Sequence, residues 1–159
     1  PTIVFLNGEY WGIHILREKP DEHHLENLYV IDKDSIDLLQ GNADVIEGSN
    51  TEYLNMLNYI TNNDLSISTN YNIVEDQINI DNFIDYFLVE IYYNNREWPH
   101  NNIKYYKQQG PNHKWNWILF DTDITSGAWS VCQANRDSYN WLSDTAGYPI
   151  WSRIIFLKC

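Results

Sequence analysis

The first hydrophobic positions of the chain form two β-rich runs, at residues 3–6 and 10–16. They flank Asn7-Gly8, a pair that favours a two-residue type I′ turn because both positions of that turn need a positive φ angle. β-rich runs on either side of such a turn are typical of two paired strands. The pattern therefore predicts that the chain opens with a β-hairpin.

A polar stretch follows the predicted hairpin. It runs from Pro20-Asp21 to Asn27, and a proline followed by acidic residues is typical of the first turn of a helix. Two further β-rich segments, 36–40 and 44–47, lie on either side of Gly41-Asn42. We expect these strands and the opening hairpin to form one small antiparallel sheet, accompanied by one short helix.

The hydrophobic period lengthens to that of a helix after Gly48. Ser49 and Glu52 have the spacing of a capping box, and the apolar side chains that follow share one helical face: Tyr53, Met56, Leu57 and Ile60. Residues 61–79 are polar and rich in asparagine, which favours a long loop with room for a brief strand. Residues 80–92 then follow the i, i+3, i+4, i+7 rule and predict a helix that ends near Asn94.

Two more strands, 102–107 and 114–120, are predicted around a loop that contains Gly110-Pro111. If Lys107 faces Lys114, antiparallel pairing puts Asn102 beside Leu119. The start of one strand then meets the end of the other. This arrangement gathers five polar side chains at one end of the hairpin: Glu97, Asn101, Asn102, Asp121 and Asp123.

Carboxylate and amide oxygens are the ligands that Mg²⁺ and Mn²⁺ prefer, usually with one or two carboxylates and with water and phosphates completing the shell. The gathered side chains therefore indicate a metal and phosphate site. A second interpretation stays open, in which Asp121 and Asp123 end a strand while Asn101 and Asn102 cap a turn. His100 is interpreted as a turn cap rather than a phosphate ligand.

The order of these residues matches the order of parts in protein-kinase-like phosphoryl transfer. In that reaction a loop carboxylate accepts the hydroxyl proton, an asparagine five residues later binds metal, and an aspartate after a hairpin holds a metal ion. Glu97, Asn102 and Asp123 occupy these places. A long helix before the motif fits the same plan.

The net charge of the chain argues against some classes of binding partner. Ten Lys and Arg residues against 22 Asp and Glu give a net charge of −12, whereas nucleic acid or an anionic membrane surface would demand a basic face. We therefore expect no nucleic-acid partner, although an acidic chain can still hold phosphates through metal ions. No apolar run approaches the roughly 18 residues of a membrane helix, so no membrane span is expected.

Several other residues invite a functional interpretation that the sequence does not favour. His23-His24 has no third ligand at helical spacing and is interpreted as part of a solvated helix face. Cys132 and Cys159 lack metal-ligand spacing. They could pair in an oxidising compartment, but two cysteines do not make a disulfide framework, and they are interpreted as free thiols. Three tryptophans around the second hairpin are predicted to be core residues rather than a platform on which sugars stack. They are Trp98, Trp115 and Trp117.

Three motifs carry a resemblance: FLNGEYWGIHILRE at 5–18, NNREWPHNNIKYY at 94–106 and KWNWILFDTDITSG at 114–127. In this order they resemble the CotH kinase family, the spore-coat protein H type of atypical bacterial kinases. The resemblance implies an α+β, divergent protein-kinase-like fold without an ordinary glycine-rich loop. Residues 1–47 would belong to its small antiparallel-sheet lobe, and residues 50–159 to its mainly helical lobe with a β-hairpin. We expect a fragment of that single domain, cut at both ends.

The resemblance also implies a function. The family transfers a phosphoryl group from ATP, with Mg²⁺ or Mn²⁺, to serine in secreted, cell-surface or spore-coat proteins. Carried over, Asn102 and Asp123 would bind metal with Asp121 in support, and Glu97 would stand where the family usually has an aspartate. The extra methylene of glutamate moves the carboxylate by about 1 Å, a displacement that can cost on the order of 10²-fold in rate.

Two details of the resemblance concern the residues that would hold the phosphates of ATP and the loop that follows Asp123. Glu18 matches a family glutamate and would orient a basic side chain that holds phosphates. The candidates for that side chain are Arg17, Lys104 and a residue upstream of this fragment. The family often has Phe-Gly after its second aspartate, whereas this chain has Ile124-Thr125, so the loop that follows Asp123 is expected to differ.

Two other functions stay open. In the first, the glutamate at position 97 marks lost chemistry, and the chain is a non-catalytic binding module of a surface or coat assembly. In the second, the same ligands hold a structural Ca²⁺, which takes six to eight oxygen ligands where Mg²⁺ takes six.

Overall fold

A computed structural model describes residues 1–95, 97–99 and 101–123. This part of the chain is α+β, with six strands and four helices. The strands are Thr2–Leu6 (β1), Glu9–His14 (β2), Ile36–Gln40 (β3), Asp44–Glu47 (β4), Lys104–Gln108 (β5) and Asn116–Ile118 (β6). The helices are Glu22–Tyr29 (α1), Thr51–Asn62 (α2), Ser68–Glu75 (α3) and Ile80–Tyr93 (α4).

The opening hairpin is confirmed. β1 and β2 pair antiparallel, and Leu6 faces Glu9 across the turn. Asn7 has a φ of 51° and Gly8 a φ of 86°, which are the positive angles that the sequence predicts for a type I′ turn. Both strands remain largely exposed, including the apolar side chains of Trp11 and Ile13.

The remaining strands form a separate four-stranded antiparallel sheet in the order β4-β3-β5-β6. The prediction that all strands of the first 47 residues form one sheet is therefore wrong. The burial pattern of β3 agrees with a central strand, because Ile36–Leu39 are buried in succession and a continuous buried run is typical of a strand that is covered on both faces. The β3–β5 pairing crosses the expected boundary between lobes, and the division into 1–47 and 50–159 stays a prediction.

The second hairpin forms, but its predicted register is wrong by one residue. Lys104 pairs with Ile118 and Tyr105 pairs with Trp117, whereas the predicted register would place Tyr105 opposite Asn116. Tyr105 and Trp117 are both buried in the main core. A one-residue slip would turn one of them away from that core, so the hydrophobic pattern decides the register.

The helix caps agree in part with the sequence analysis. Asp21 caps α1, since its Oδ1 accepts from the His24 backbone N at 3.2 Å. The capping box predicted at Ser49 is wrong: α2 begins at Thr51 with Asn50 as its N-cap. The Ser49 backbone N instead donates to Asp37 Oδ1 on β3 at 2.8 Å, which holds this residue outside the helix.

The stretch predicted as a loop contains α3. Only Val74 is buried in this helix, so its apolar pattern was too weak to indicate a helix. The sequence analysis allowed a brief strand within residues 61–79. The structure has a single parallel bridge there, between Ile78 and Trp115.

The main core lies between α2, α4 and one face of the four-stranded sheet. The predicted helical face of α2 is buried at Tyr53, Met56 and Ile60, and Phe83 of α4 contacts Trp117 edge to face with ring centroids 4.7 Å apart. The three tryptophans predicted to be core residues are each at most 3% exposed. None of the helices in the described ranges is long and apolar enough to cross a membrane.

Candidate metal and phosphate site

The candidate site lies where the loop after α4 meets the segment after β6. Asn94 is the C-cap of α4, and its left-handed backbone (φ 53°) turns the chain out of the helix. Asn102 and Asp121 have φ angles of 56° and 54°, a conformation that asparagine and aspartate tolerate better than most residues. These two bends bring the loop and the segment together.

Asn102 connects the two segments through its side-chain amide. Its Nδ2 donates to Glu97 Oε2 at 2.9 Å and to the Asp121 carbonyl oxygen at 3.3 Å. Asn102 is only 9% exposed, so the amide is held in a fixed place. Its hydrogen bonds to described residues use the nitrogen, which leaves the side-chain oxygen as the atom suited to a cation.

Negative charge accumulates at this point. Partial burial raises the pKa of Asp121, and the neighbouring carboxylates of Asp123 and Glu97 raise that pKa further. Arg17 acts in the opposite direction, with its Nη1 4.0 Å from Asp121 Oδ1. Carboxylates that disfavour one another's ionised form are the electrostatic setting in which a bound cation is stabilising.

The carboxylates alone do not make a metal centre. Within residues 1–95, 97–99 and 101–123, no group of three or more His, Cys, Asp or Glu side chains is arranged to hold a metal ion. A cation at this point would therefore need the amide oxygen of Asn102 and oxygens from outside the protein. That agrees with the usual Mg²⁺ shell of one or two carboxylates completed by water and phosphate oxygens.

Asn101 belongs to the turn rather than to the cluster of side chains. Its backbone N donates to the Glu97 carbonyl oxygen at 2.8 Å, and its side chain is exposed. This closes a turn between Glu97 and Asn101 that includes the cis peptide bond between Trp98 and Pro99. The turn-forming interpretation therefore holds for Asn101.

Lys104 lies beside a cavity next to the site. The cavity has a volume of about 430 Å³ and is lined by the β3–β4 turn, Asn102, Lys104 and Phe120. Lys104 Nζ donates to the Pro20 carbonyl oxygen at 2.9 Å and lies 5.1 Å from the centre of the Phe120 ring. Burial lowers the pKa of Lys104, and the positive charge of Lys19 adds to that effect.

The contact that Glu18 makes is with α1. Its Oε2 lies 3.2 Å from His24 Nδ1 on α1, and its assigned role in orienting a cation stays a prediction. His23 is exposed as expected for a solvated helix face, whereas the His24 side chain is 23% exposed. Five residues singled out in the sequence lie outside the described residues: His100, Ile124, Thr125, Cys132 and Cys159.

Two residues that the sequence analysis missed, Glu90 and Asn95, hold the loop that contains Glu97. Asn95 Nδ2 donates to Glu90 Oε2 at 2.8 Å, and Asn95 Oδ1 accepts from the Glu97 backbone N at 3.3 Å. Glu90 is 1% exposed and follows Phe83 and Phe87 along the buried face of α4. A carboxylate on the apolar face of a predicted helix was the signal that could have identified it.

Comparison with known proteins gives one family. No curated protein and no solved structure matches this chain. The kinase-like fold therefore stays an expectation from the sequence, beyond the α+β architecture described above. The family model for CotH, described as CotH kinase protein, matches residues 1–156. Because this match extends over nearly the whole sequence, the chain belongs to the CotH kinase family.

Proposed function

We propose that this chain takes part in the metal-dependent transfer of the γ-phosphoryl group of ATP to a serine hydroxyl of a protein. One observation carries the proposal: the Asn102 amide joins Glu97 to the segment that bears Asp121 and Asp123. These are the parts that phosphoryl transfer needs, namely a proton acceptor, an amide ligand and a pair of carboxylates. Membership of the CotH kinase family supports the same reaction.

Each residue has a distinct task in this proposal. Glu97 accepts the proton of the attacking hydroxyl, and the hydrogen bond from Asn102 Nδ2 fixes the direction of its carboxylate. Asn102 Oδ1 and Asp123 hold the cation, with Asp121 in support. A divalent cation bound with ATP would neutralise charge on the transferred group. The proton leaves late in such reactions, so the position of Glu97 matters more than its basicity.

The cavity beside Lys104 is the proposed place of the nucleotide. Its volume of about 430 Å³ lies within the usual range for small-molecule pockets, roughly 300–1,000 Å³. Asn102 lines both this cavity and the carboxylate cluster, so a nucleotide in the cavity would have its phosphates beside the proposed cation. Lys104 would contact those phosphates after leaving the Pro20 carbonyl.

The proposal also covers the class of protein that accepts the phosphoryl group and the compartment in which the chain works. The resemblance of the three motifs to the CotH family supports a serine in a secreted, cell-surface or spore-coat protein as the acceptor. The chain would then work outside the cell or in the coat.

Titration calorimetry with MgATP and MnATP tests the binding half of the proposal. We expect heat of binding for the wild-type chain and none for Asp123→Ala, because Asp123 is the principal carboxylate of the cation. Asp34→Ala is the matched control, since it removes an exposed aspartate from the 3₁₀ turn before β3. No heat and no thermal shift for the wild-type chain would remove the proposal.

Phosphoryl transfer to a serine-containing acceptor tests the catalytic half. Glu97→Ala should bind MgATP like the wild-type chain and lose turnover. Glu97→Asp restores the residue type usual in the family and should retain turnover. If Glu97→Ala kept full turnover, the role assigned to Glu97 would be wrong.

The alternative of a non-catalytic binding module is favoured by one feature, the glutamate at position 97. The same two assays separate it from the kinase proposal. Binding of MgATP without turnover by either the wild-type chain or Glu97→Asp would support the non-catalytic module.

A further inference from the structure

Glu90 is a buried carboxylate inside the packed face of a helix. It is 1% exposed, and Phe83, Tyr86 and Phe87 of α4 are buried with it. Burying an ionisable group in such surroundings costs free energy that an apolar side chain would not cost. The interactions that Glu90 makes must therefore account for a carboxylate at this position.

These interactions lead directly to Glu97. Glu90 Oε2 accepts from Asn95 Nδ2 at 2.8 Å, and the Glu90 carbonyl oxygen accepts from the Asn95 backbone N at 3.2 Å. Asn95, which is 4% exposed, then uses Oδ1 to accept from the Glu97 backbone N at 3.3 Å. One asparagine side chain thus joins the buried carboxylate to the main chain of the proposed proton acceptor.

A second contact reaches the same loop through Trp98, the residue after Glu97. Its ring is 1% exposed and packs edge to face on Phe87 with centroids 5.0 Å apart. Tyr86 interacts with both Glu90 and Trp98. Glu90 Oε1, Tyr86 Oη and Trp98 Nε1 are buried in this part of the described chain without a well-formed hydrogen bond. Glu90 is therefore connected to the loop in two ways, directly through Asn95 and indirectly through Tyr86.

We propose that Glu90 is a positioning residue, which acts through Asn95 to fix Glu97 at the distance from Asn102 that phosphoryl transfer needs. The inference rests on the proposed function for its catalytic consequence. Glu97 touches Asn102 at one end through its carboxylate and Asn95 at the other through its backbone N. Loss of the second contact leaves the carboxylate free to shift, and a shift of about 1 Å can cost on the order of 10²-fold in rate.

Two substitutions break this connection from opposite sides. Glu90→Leu removes the acceptor for Asn95 while keeping the buried volume similar, and Asn95→Ala removes the bridge itself. Glu90→Gln is the conservative variant, because its side-chain oxygen still accepts from Asn95. Asp85→Asn is the matched control, since it exchanges an exposed carboxylate of the same helix for an amide.

The first measurement is steady-state kinetics with MgATP and a serine-containing acceptor. We expect kcat to fall by about 10- to 100-fold for Glu90→Leu and Asn95→Ala, with KM for MgATP changed by less than about threefold, since the Asn102 and Asp123 ligands remain. Glu90→Gln should keep most of kcat, and Asp85→Asn should match the wild-type chain. A merely structural role for Glu90 would not produce this split between kcat and KM.

The second measurement is hydrogen–deuterium exchange of the Glu97 amide, which does not depend on turnover. We expect exchange at least tenfold faster in Glu90→Leu and Asn95→Ala. If the wild-type chain shows no turnover, the proposed function fails, and the exchange result alone decides whether Glu90 fixes the loop. If Glu90→Leu does not fold, Asn95→Ala decides. Wild-type kcat and wild-type exchange in a folded variant would overturn the inference.

Discussion

Replacement of Glu90 by glutamine should change how the stability of the protein depends on pH. Burial raises the pKa of Glu90 from its usual 4.5 to about 7, against the opposing effects of Asn95 and Tyr86. In the unfolded chain the same carboxyl group has its usual pKa. Between these two values the folded state holds a proton that the unfolded state has released, so folding loses stability as the pH rises through this window.

The magnitude follows from the two pKa values. A pKa of about 7 against 4.5 corresponds to a factor of roughly 300 in proton affinity, or at most about 3 kcal/mol of folding free energy. Glutamine keeps the hydrogen bond to Asn95 and cannot ionise. The stability of Glu90→Gln relative to the wild-type chain should therefore increase by up to about 3 kcal/mol between about pH 4.5 and pH 8.

Urea unfolding, followed by tryptophan fluorescence at several pH values, measures this difference. The wild-type and Glu90→Gln curves should converge at the acidic end and separate at the basic end. Asp85→Asn, the exposed carboxylate of the same helix, is the control and should not reproduce the separation. A stability difference that stays constant across the pH range would refute the reasoning, because Glu90 would then ionise alike in the folded and unfolded states.

Three further predictions concern the site, a turn and the core. Asp121→Asn should raise the melting temperature of the metal-free protein slightly, because it relieves the repulsion with Asp123 and Glu97, and it should reduce the thermal shift caused by Mn²⁺. Gly48→Ala should lower stability by more than about 1 kcal/mol in urea unfolding, since the new Cβ would lie 2.3 Å from a carbonyl oxygen of β3 and Gly48 has a φ of 73°. Phe83→Ala should cost about 3–5 kcal/mol in the same assay, because it removes a buried ring that packs on the sheet.

The sequence predicted an element correctly where the pattern that indicates the element lies within one short segment. The Asn7-Gly8 turn needs only its own two residues, and the apolar face of α4 is complete within 80–92. The bounds of β3 and β4 also agree with the predicted segments. α3 was missed because a helix with one buried side chain, Val74, contains too little of the pattern that indicates a helix.

Pairings between distant segments could not be obtained in the same way. The sheet places β3 between β4 and β5. Burial on both faces of β3 depends on segments that are distant in the sequence, since Leu39 packs in the main core with α2 and α4 while Leu38 packs with Leu25 of α1. The register of β5 and β6 depends on whether Tyr105 and Trp117 share the core, and a turn sequence alone does not specify this.

The meeting of the two segments was predicted although the register on which that prediction rested is wrong by one residue, and the roles assigned to the site residues stay predictions. The structure brings Glu97, Asn102 and Asp121 together even though the strands are shifted by one residue, because left-handed bends at Asn102 and Asp121 connect through a backbone carbonyl. The supporting pair of Glu90 and Asn95 was missed, since no spacing rule joins a buried helical carboxylate to the loop that follows it.

The central position of β3 has a consequence for how the protein folds during synthesis. Tyr105 of β5 donates its hydroxyl hydrogen to the Gly41 carbonyl oxygen across 64 residues of sequence, and contacts of such long range are slow to form. β3 and β4 are synthesised before β5. The apolar side chains of β3 therefore stay partly uncovered until β5 has left the ribosome. Interruption of translation before β5 would leave an aggregation-prone chain that also lacks Asp121 and Asp123 of the site.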